Sequence, residues 1–108
     1  MAWVLTLMLG AGVGVAAAQD ATLLGTVSDD TGGALPGVTV TATGIDTGRV
    51  FTAVTDERGE YRLRGLPPTR YKVTAELAGF NTVLIPDVEL LVGQSRTIPF
   101  SLKVATLQ

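Results

Sequence analysis

The 108-residue sequence contains neither cysteine nor histidine. The first absence removes disulfides and thiol nucleophiles together. The second removes the commonest general base and metal ligand at neutral pH. Ser28, Ser95 and Ser101 therefore have no imidazole to activate them, and a serine–histidine nucleophile cannot be assembled. Charge is sparse and mixed, with 8 Lys and Arg against 10 Asp and Glu, a net charge of -2 and no run of one sign. That balance excludes the basic face of a nucleic-acid binder and a polybasic membrane patch. Aromatic residues make up 6% of the chain, so few rings are present to stack on a ligand. The residues present also fall short of a transmembrane barrel, which needs at least about eight strands of 9–11 residues with apolar outer faces.

Against those absences stands an uncharged apolar run, Trp3 to Val15, followed by Ala16-Ala17-Ala18 and Gln19-Asp20. An apolar segment of about 7–15 residues closed by small residues is the pattern of a secretory signal peptide. Cleavage after Ala18 divides the chain into a signal peptide, 1–18, and a mature domain, 19–108. No Lys or Arg precedes the run, so the terminal amine supplies the positive charge.

The mature portion is organised around Thr55–Phe80, TDERGEYRLRGLPPTRYKVTAELAGF. Tyr61 and Leu63 point one way and Arg62 and Arg64 the other; Tyr71, Val73, Ala75 and Leu77 repeat the period. A period of two marks strands with one buried and one wet face. Upstream, Thr22–Ser28 reads as a short strand with Leu24 and Thr26 on one face. Asp29-Asp30-Thr31-Gly32-Gly33 reads as a turn, since calcium would need about six to eight oxygen ligands. Val38–Thr43 alternates valine and alanine against threonine, a half-buried strand. In Arg49–Thr55, Val50, Thr52 and Val54 share one face, which leaves Phe51 on the other and exposed. Asp56-Glu57-Arg58-Gly59 is a tight turn, with Asp56 accepting backbone N–H bonds and Gly59 in the left-handed region. Asp56, Glu57 and Glu60 at a hydrated turn tip lack the cleft and the shifted pKa that acid/base catalysis requires.

Gly65–Arg70 carries Pro67 and Pro68, so it crosses one end of the fold and tucks Leu66 beneath it. Gly79 bends the chain before Phe80, which plugs the sandwich end. Val83–Val92 is apolar but broken at Pro86-Asp87, where a bulge or a change of strand is expected. Val88, Leu90 and Val92 alternate after it. Gly93–Arg96 reads as a hairpin turn, and Ile98, Phe100 and Leu102 as the inward row of the last strand. Pro99 on its outer row marks an edge. About seven strands at intervals of roughly 8–12 residues predict an all-β, seven-stranded Greek-key sandwich.

Residues 27–42, VSDDTGGALPGVTVTA, with TDERGEYRLRGLPPTRYKV and AGF, resemble a carboxypeptidase regulatory-like domain. The resemblance implies a transthyretin-like (prealbumin-like) sandwich. The closing stretch VELLVGQSRTIPFSLKVATLQ is similar to the version at the amino terminus of TonB-dependent outer-membrane receptors, behind the signal peptide. Thr69 departs from the family's usual glycine in the P-P-G-x-Y turn. What the resemblance implies is a non-catalytic accessory domain, either a fragment of a longer receptor or a free-standing secreted domain, with the rest of the receptor or another envelope protein as its partner. Its expected address is the periplasm or outer membrane of a Gram-negative bacterium, or otherwise secretion. No cofactor, metal or catalytic residue is expected, and the isolated domain is expected to be monomeric.

The alternative is a secreted carbohydrate-binding, starch-binding-like module. Trp3 leaves with the signal peptide, and Tyr61, Tyr71 and Phe100 lie on inward rows, so Phe51 and Phe80 are the candidate ligand or partner contacts. A Lys–Asn isopeptide staple of the kind in similar adhesin folds is excluded, because Lys72 and Asn81 stand at the wrong positions. Partner pairing is expected at an unguarded edge, for which the first strand, Thr22–Ser28, is the candidate.

Overall fold

A computed structural model describes residues 19–106. The expected signal peptide, 1–18, lies outside the described residues. The rest forms strands β1 (Ala21–Asp29), β2 (Thr39–Gly44), β3 (Val50–Val54), β4 (Glu60–Leu66), β5 (Arg70–Glu76), β6 (Val83–Glu89), β7 (Ser95–Thr97) and β8 (Phe100–Leu102), with no helix among the described residues. One sheet has the order β4-β1-β7, with β8 also on β1; the other runs β3-β2-β5-β6. The expected all-β sandwich is what forms. The seventh strand is split at Ile98-Pro99 into β7 and β8, which both run parallel to β1.

The inward rows meet in one core. Ala21, Leu23 and Val27 of β1, Val40 and Ala42 of β2, Tyr61, Leu63 and Leu66 of β4, and Tyr71, Val73 and Ala75 of β5 are all buried. Ile98, Phe100 and Leu102 join it as the alternation predicts, together with Leu35, Val38, Val88 and Leu90. Tyr61 and Phe100 pack with ring centroids 5.9 Å apart. No buried side-chain nitrogen or oxygen among the described residues lacks a hydrogen-bond partner. The Tyr71 hydroxyl donates to Pro67 O at 2.6 Å and so fixes the proline crossing to β5, with Leu66 fully buried beneath it.

Four expectations are corrected. The first concerns β1, which is no edge: it lies between β4 and β7/β8. Its inward row is Ala21, Leu23, Gly25 and Val27, so Leu24 is half-buried on the other face and Thr26 is exposed. Gly25 interrupts the apolar row, and the Ile98 carbonyl occupies the space a side chain would take, with the edge of the Tyr61 ring beside it. In β3 the faces are the reverse of the expected ones. Phe51 and Ala53 pack on the core, while Val50 and Val54 are 60% and 59% exposed. The third correction concerns Gly93–Arg96, which crosses between the sheets, because β6 pairs with β5 and β7 with β1. Finally, Val92 is exposed, since the alternation ends at buried Leu90. The break at Pro86-Asp87 does appear, as a register shift opposite Tyr71 and Val73.

Burial holds the Tyr61 phenol far above its ordinary pKa of 10.0, and its hydroxyl donates to Ile98 O at 2.6 Å. The unfolded chain would therefore lose this proton first as pH rises. The contribution of this group to stability is full below pH 10.0 and declines above it. Tyr61→Phe should flatten that decline and cost about 1–1.5 kcal/mol at neutral pH, the worth of one buried hydrogen bond. Urea unfolding midpoints of both chains at pH 7 and pH 11 test this.

Candidate interaction surface

Two of the carboxylates, Asp29 and Asp56, are occupied in shaping turns. Asp29 Oδ1 accepts from Thr31 N at 2.9 Å, Thr31 Oγ1 at 2.6 Å and Gly33 N at 2.9 Å. This is an Asx-type turn, in which the carboxylate substitutes for backbone partners. Asp56 Oδ1 likewise accepts from Arg58 N and Glu60 N, both at 2.9 Å. Gly59 sits at φ 77°, and a Cβ there would lie 2.5 Å from Val27 O. The turn thus needs glycine both for its conformation and for the close approach to β1. On the opposite edge the Arg70 guanidinium grips both oxygens of Asp87 across β5 and β6, with Nε to Oδ1 at 3.0 Å.

The electrostatics follow from those bonds. The Thr31 hydroxyl lowers the pKa of Asp29, the Glu60 amide that of Asp56, and the Arg70 guanidinium that of Asp87. A general acid at neutral pH needs the opposite displacement. Lowered folded values mean that the unfolded chain takes up protons first on acidification. Stability should be full well above the ordinary value of 3.8 and decline as pH falls through the lowered values. Asp56→Asn should make the acid limb shallower, as read from thermal midpoints between pH 2 and pH 7. Among the described residues no group of three or more Asp, Glu, His or Cys could hold a metal ion.

A clasp invisible to sequence reasoning lies at the end of β3. Thr55 is buried, and its hydroxyl donates to Leu35 O at 2.6 Å and accepts from Val38 N at 2.9 Å. Its backbone accepts from Gly37 N and donates to Val38 O. One residue thereby holds the Leu35–Val38 loop against the edge of the second sheet. The sequence carries no sign of it, because a threonine at the end of an apolar strand reads the same whether exposed or buried.

Of the two candidate contact residues, Phe51 lies half-buried on β3 and meets Tyr71 edge-on, centroids 6.2 Å apart and planes at 77°. The Arg49 guanidinium carbon stands 5.1 Å over its ring. Phe80 is half-buried at the other end, where it bridges to Val104 and Asn81 N donates to Lys103 O. The two rings lie apart, on different elements, and form no common platform. A cleft of about 510 Å³ opens beside β3 and β4, lined by Leu24, Ala53, Val54, Glu60, Arg62 and Thr97 among others. Its mixed, open lining suits a surface contact better than an enclosed substrate.

The edges are the remaining feature. Gly44 N donates to Arg49 O, and Thr55 N to Val38 O, which fixes the alternation along β2 and β3. Phe51 and Ala53 therefore exchange their main-chain bonds with β2. The N–H and C=O groups of Val50, Thr52 and Val54 point to the open side. No turn or loop hydrogen bond among the described residues uses them.

The carboxypeptidase regulatory-like domain family matches residues 22–103. No curated protein sequence matches the chain. Among solved structures, a carbohydrate-binding candidate from Bacteroides uniformis superposes with a TM-score of 0.63 and 21% identity, over 77% of this chain and 41% of that one. The dioxygenase domain of a dioxygenase–carbohydrate-binding fusion from Streptomyces sp. SirexAA-E gives 0.65 and 19%, over 82% of each chain. The Bacillus anthracis TIE protein gives 0.65 and 15%, over 81% of this chain and 17% of that one. The chain thus spans less than half of two of these proteins, and at such identities the likeness is one of fold. The family match covers most of the sequence: the chain belongs to the carboxypeptidase regulatory-like domain family.

Proposed function

We propose that this is a non-catalytic interaction domain at the amino-terminal, periplasmic side of a TonB-dependent outer-membrane receptor, exported by the leader at 1–18. The observation that carries the reading is the closing run from Val88 to Gln108, VELLVGQSRTIPFSLKVATLQ, which resembles the receptor-linked form of the family. The use of Asp29, Asp56 and Thr55 in closing turns fits a scaffold, because those side chains are spent on backbone partners. The partner in this reading is the rest of the receptor or another envelope protein. The test is the reading frame beyond Gln108, together with fractionation of the cells that make the protein. An in-frame plug and barrel, with the protein in the outer membrane, is the expected result. A continuation into an unrelated enzyme, or a cytoplasmic product, overturns the proposal.

A second reading, a glycan-binding module, is favoured by the Bacteroides uniformis structure, whose description concerns carbohydrate binding. It would use Phe51 or Phe80. Arg49 already covers one face of the Phe51 ring, so sugar stacking there would have to displace it. Binding on a glycan array that Phe51→Ala abolishes would favour this reading over the first.

A further inference from the structure

Two sheets present four edges, and three of them are guarded. The β4 edge alternates charged side chains, Glu60, Arg62 and Arg64. The β6 edge contains Pro86 and a register shift. The β7/β8 edge consists of two three-residue pieces separated at Pro99. Charge, proline, bulges and shortness are the devices by which sheets refuse further strands. β3 has none of them: Val50-Phe51-Thr52-Ala53-Val54 is uncharged, regular and free of proline and glycine.

From this we infer that β3 pairs antiparallel with the β3 of a second copy of the chain, about a twofold axis through Thr52. Three features select a second copy as occupant. The outward main-chain groups belong to Val50, Thr52 and Val54, so an axis at Thr52 sets Val50 against the partner's Val54 and Thr52 against the partner's Thr52. Each of these three pairs then exchanges two main-chain hydrogen bonds. The side chains of those residues lie on the exposed face of β3, so the pairing brings the valines together, 60% and 59% exposed in the single chain. The charges also match. Arg49 precedes the strand, while Asp56, Glu57 and Arg58 follow it with a net negative charge, and antiparallel pairing brings the cation of each copy towards the excess carboxylate of the other. The two β3-β2-β5-β6 sheets would join into one continuous sheet across the axis. This pairing replaces the monomer expected from the sequence and does not depend on the receptor reading.

The absence of cysteine makes the test direct. Residues facing each other in a hydrogen-bonded antiparallel pair have Cα atoms about 5.5 Å apart, within disulfide reach. Thr52→Cys should oxidise to a cross-linked dimer at least about ten-fold faster than Leu84→Cys, an exposed control on β6. In sedimentation equilibrium the purified wild-type chain should move from monomer towards dimer mass as concentration rises. Thr52→Lys sets two like charges face to face on the axis and should weaken association about ten-fold or more. A urea midpoint close to wild type would show that this variant still folds. A wild-type chain that stays monomeric at every concentration overturns the inference. So does a dimer that Thr52→Lys leaves intact, or Thr52→Cys cross-linking no faster than Leu84→Cys.

Discussion

Gly25→Ala is expected to destabilise the domain by about 3 kcal/mol or more, at or beyond the upper end of what overpacking usually costs. A Cβ at this position would lie 2.1 Å from Ile98 O and 2.8 Å from Ile98 C, with Tyr61 Cε1 at 3.1 Å. The first two atoms are backbone, so no side-chain rotation relieves the contact. The chain between β7 and β8 would have to move away from β1. Ile98 O is also the acceptor for the Tyr61 hydroxyl, so the same movement strains a buried hydrogen bond. Gly33→Ala provides the contrast. Its nearest neighbour would be the Asp29 carboxylate at 3.2 Å, a side-chain group that has to give by only a few tenths of an ångström, against its bonds to Thr31 and Gly33. That substitution should cost about 1 kcal/mol, well below the Gly25 change. Chemical unfolding of the two variants beside wild type separates a close-approach glycine from an incidental one.

Thr55→Val is expected to cost about 3 kcal/mol while leaving the side-chain shape nearly unchanged. Valine fills the same space but offers Leu35 O no donor and Val38 N no acceptor. Two backbone groups are then left unpaired in a buried setting, at about 1–3 kcal/mol for each one not rescued by water. Thr55→Ser keeps the hydroxyl and loses only a methyl, so it should cost about 0.8 kcal/mol. If valine were tolerated as well as serine, the loop from Leu35 to Val38 would not depend on this clasp. Unfolding midpoints of the two variants decide the matter.

These two residues show where the sequence was readable and where it was not. In β4 and β5 the alternation of large apolar and charged residues leaves one arrangement, and Tyr61, Leu63, Tyr71 and Val73 lie where that alternation places them. In β1 the inward row runs through Gly25, so the pattern loses its third member and the adjacent Leu23 and Leu24 become interchangeable to the eye. The five residues of β3 are apolar or threonine on both faces, so a period of two cannot say which face is inside. The burial of Phe51 is decided by its neighbours across the sandwich. Strand order is a further step removed. Nothing local distinguishes a hairpin at Gly93–Arg96 from a crossing between sheets, because the difference lies in whether β7 finds β6 or β1.

The same distinction applies to the candidate surface. The turn roles of Asp56 and Gly59 were legible, because a carboxylate two residues and four residues before the amides it accepts is a local pattern. The open edge was not. Which strand is left unpaired depends on the assembly of both sheets, and the first strand, although unguarded in composition, is enclosed by it. The chemistry available to the domain then follows from what remains free: Asp29, Asp56 and Asp87 are held by turns or an ion pair, and an unguarded row of main-chain groups lies along β3.

Amide hydrogen exchange at low protein concentration, resolved by residue, tests that arrangement most directly. Thr22 N donates to Gln94 O, and Ile98 N donates to Leu24 O, so β1 is bonded on the side away from β4. Slow exchange is expected for Thr22 and Leu24, comparable to Leu23, alongside fast exchange for Val50, Thr52 and Val54 in the dilute chain. Fast exchange at Leu24 with protection at Thr52 in the monomer would place the open edge on β1 and contradict the account.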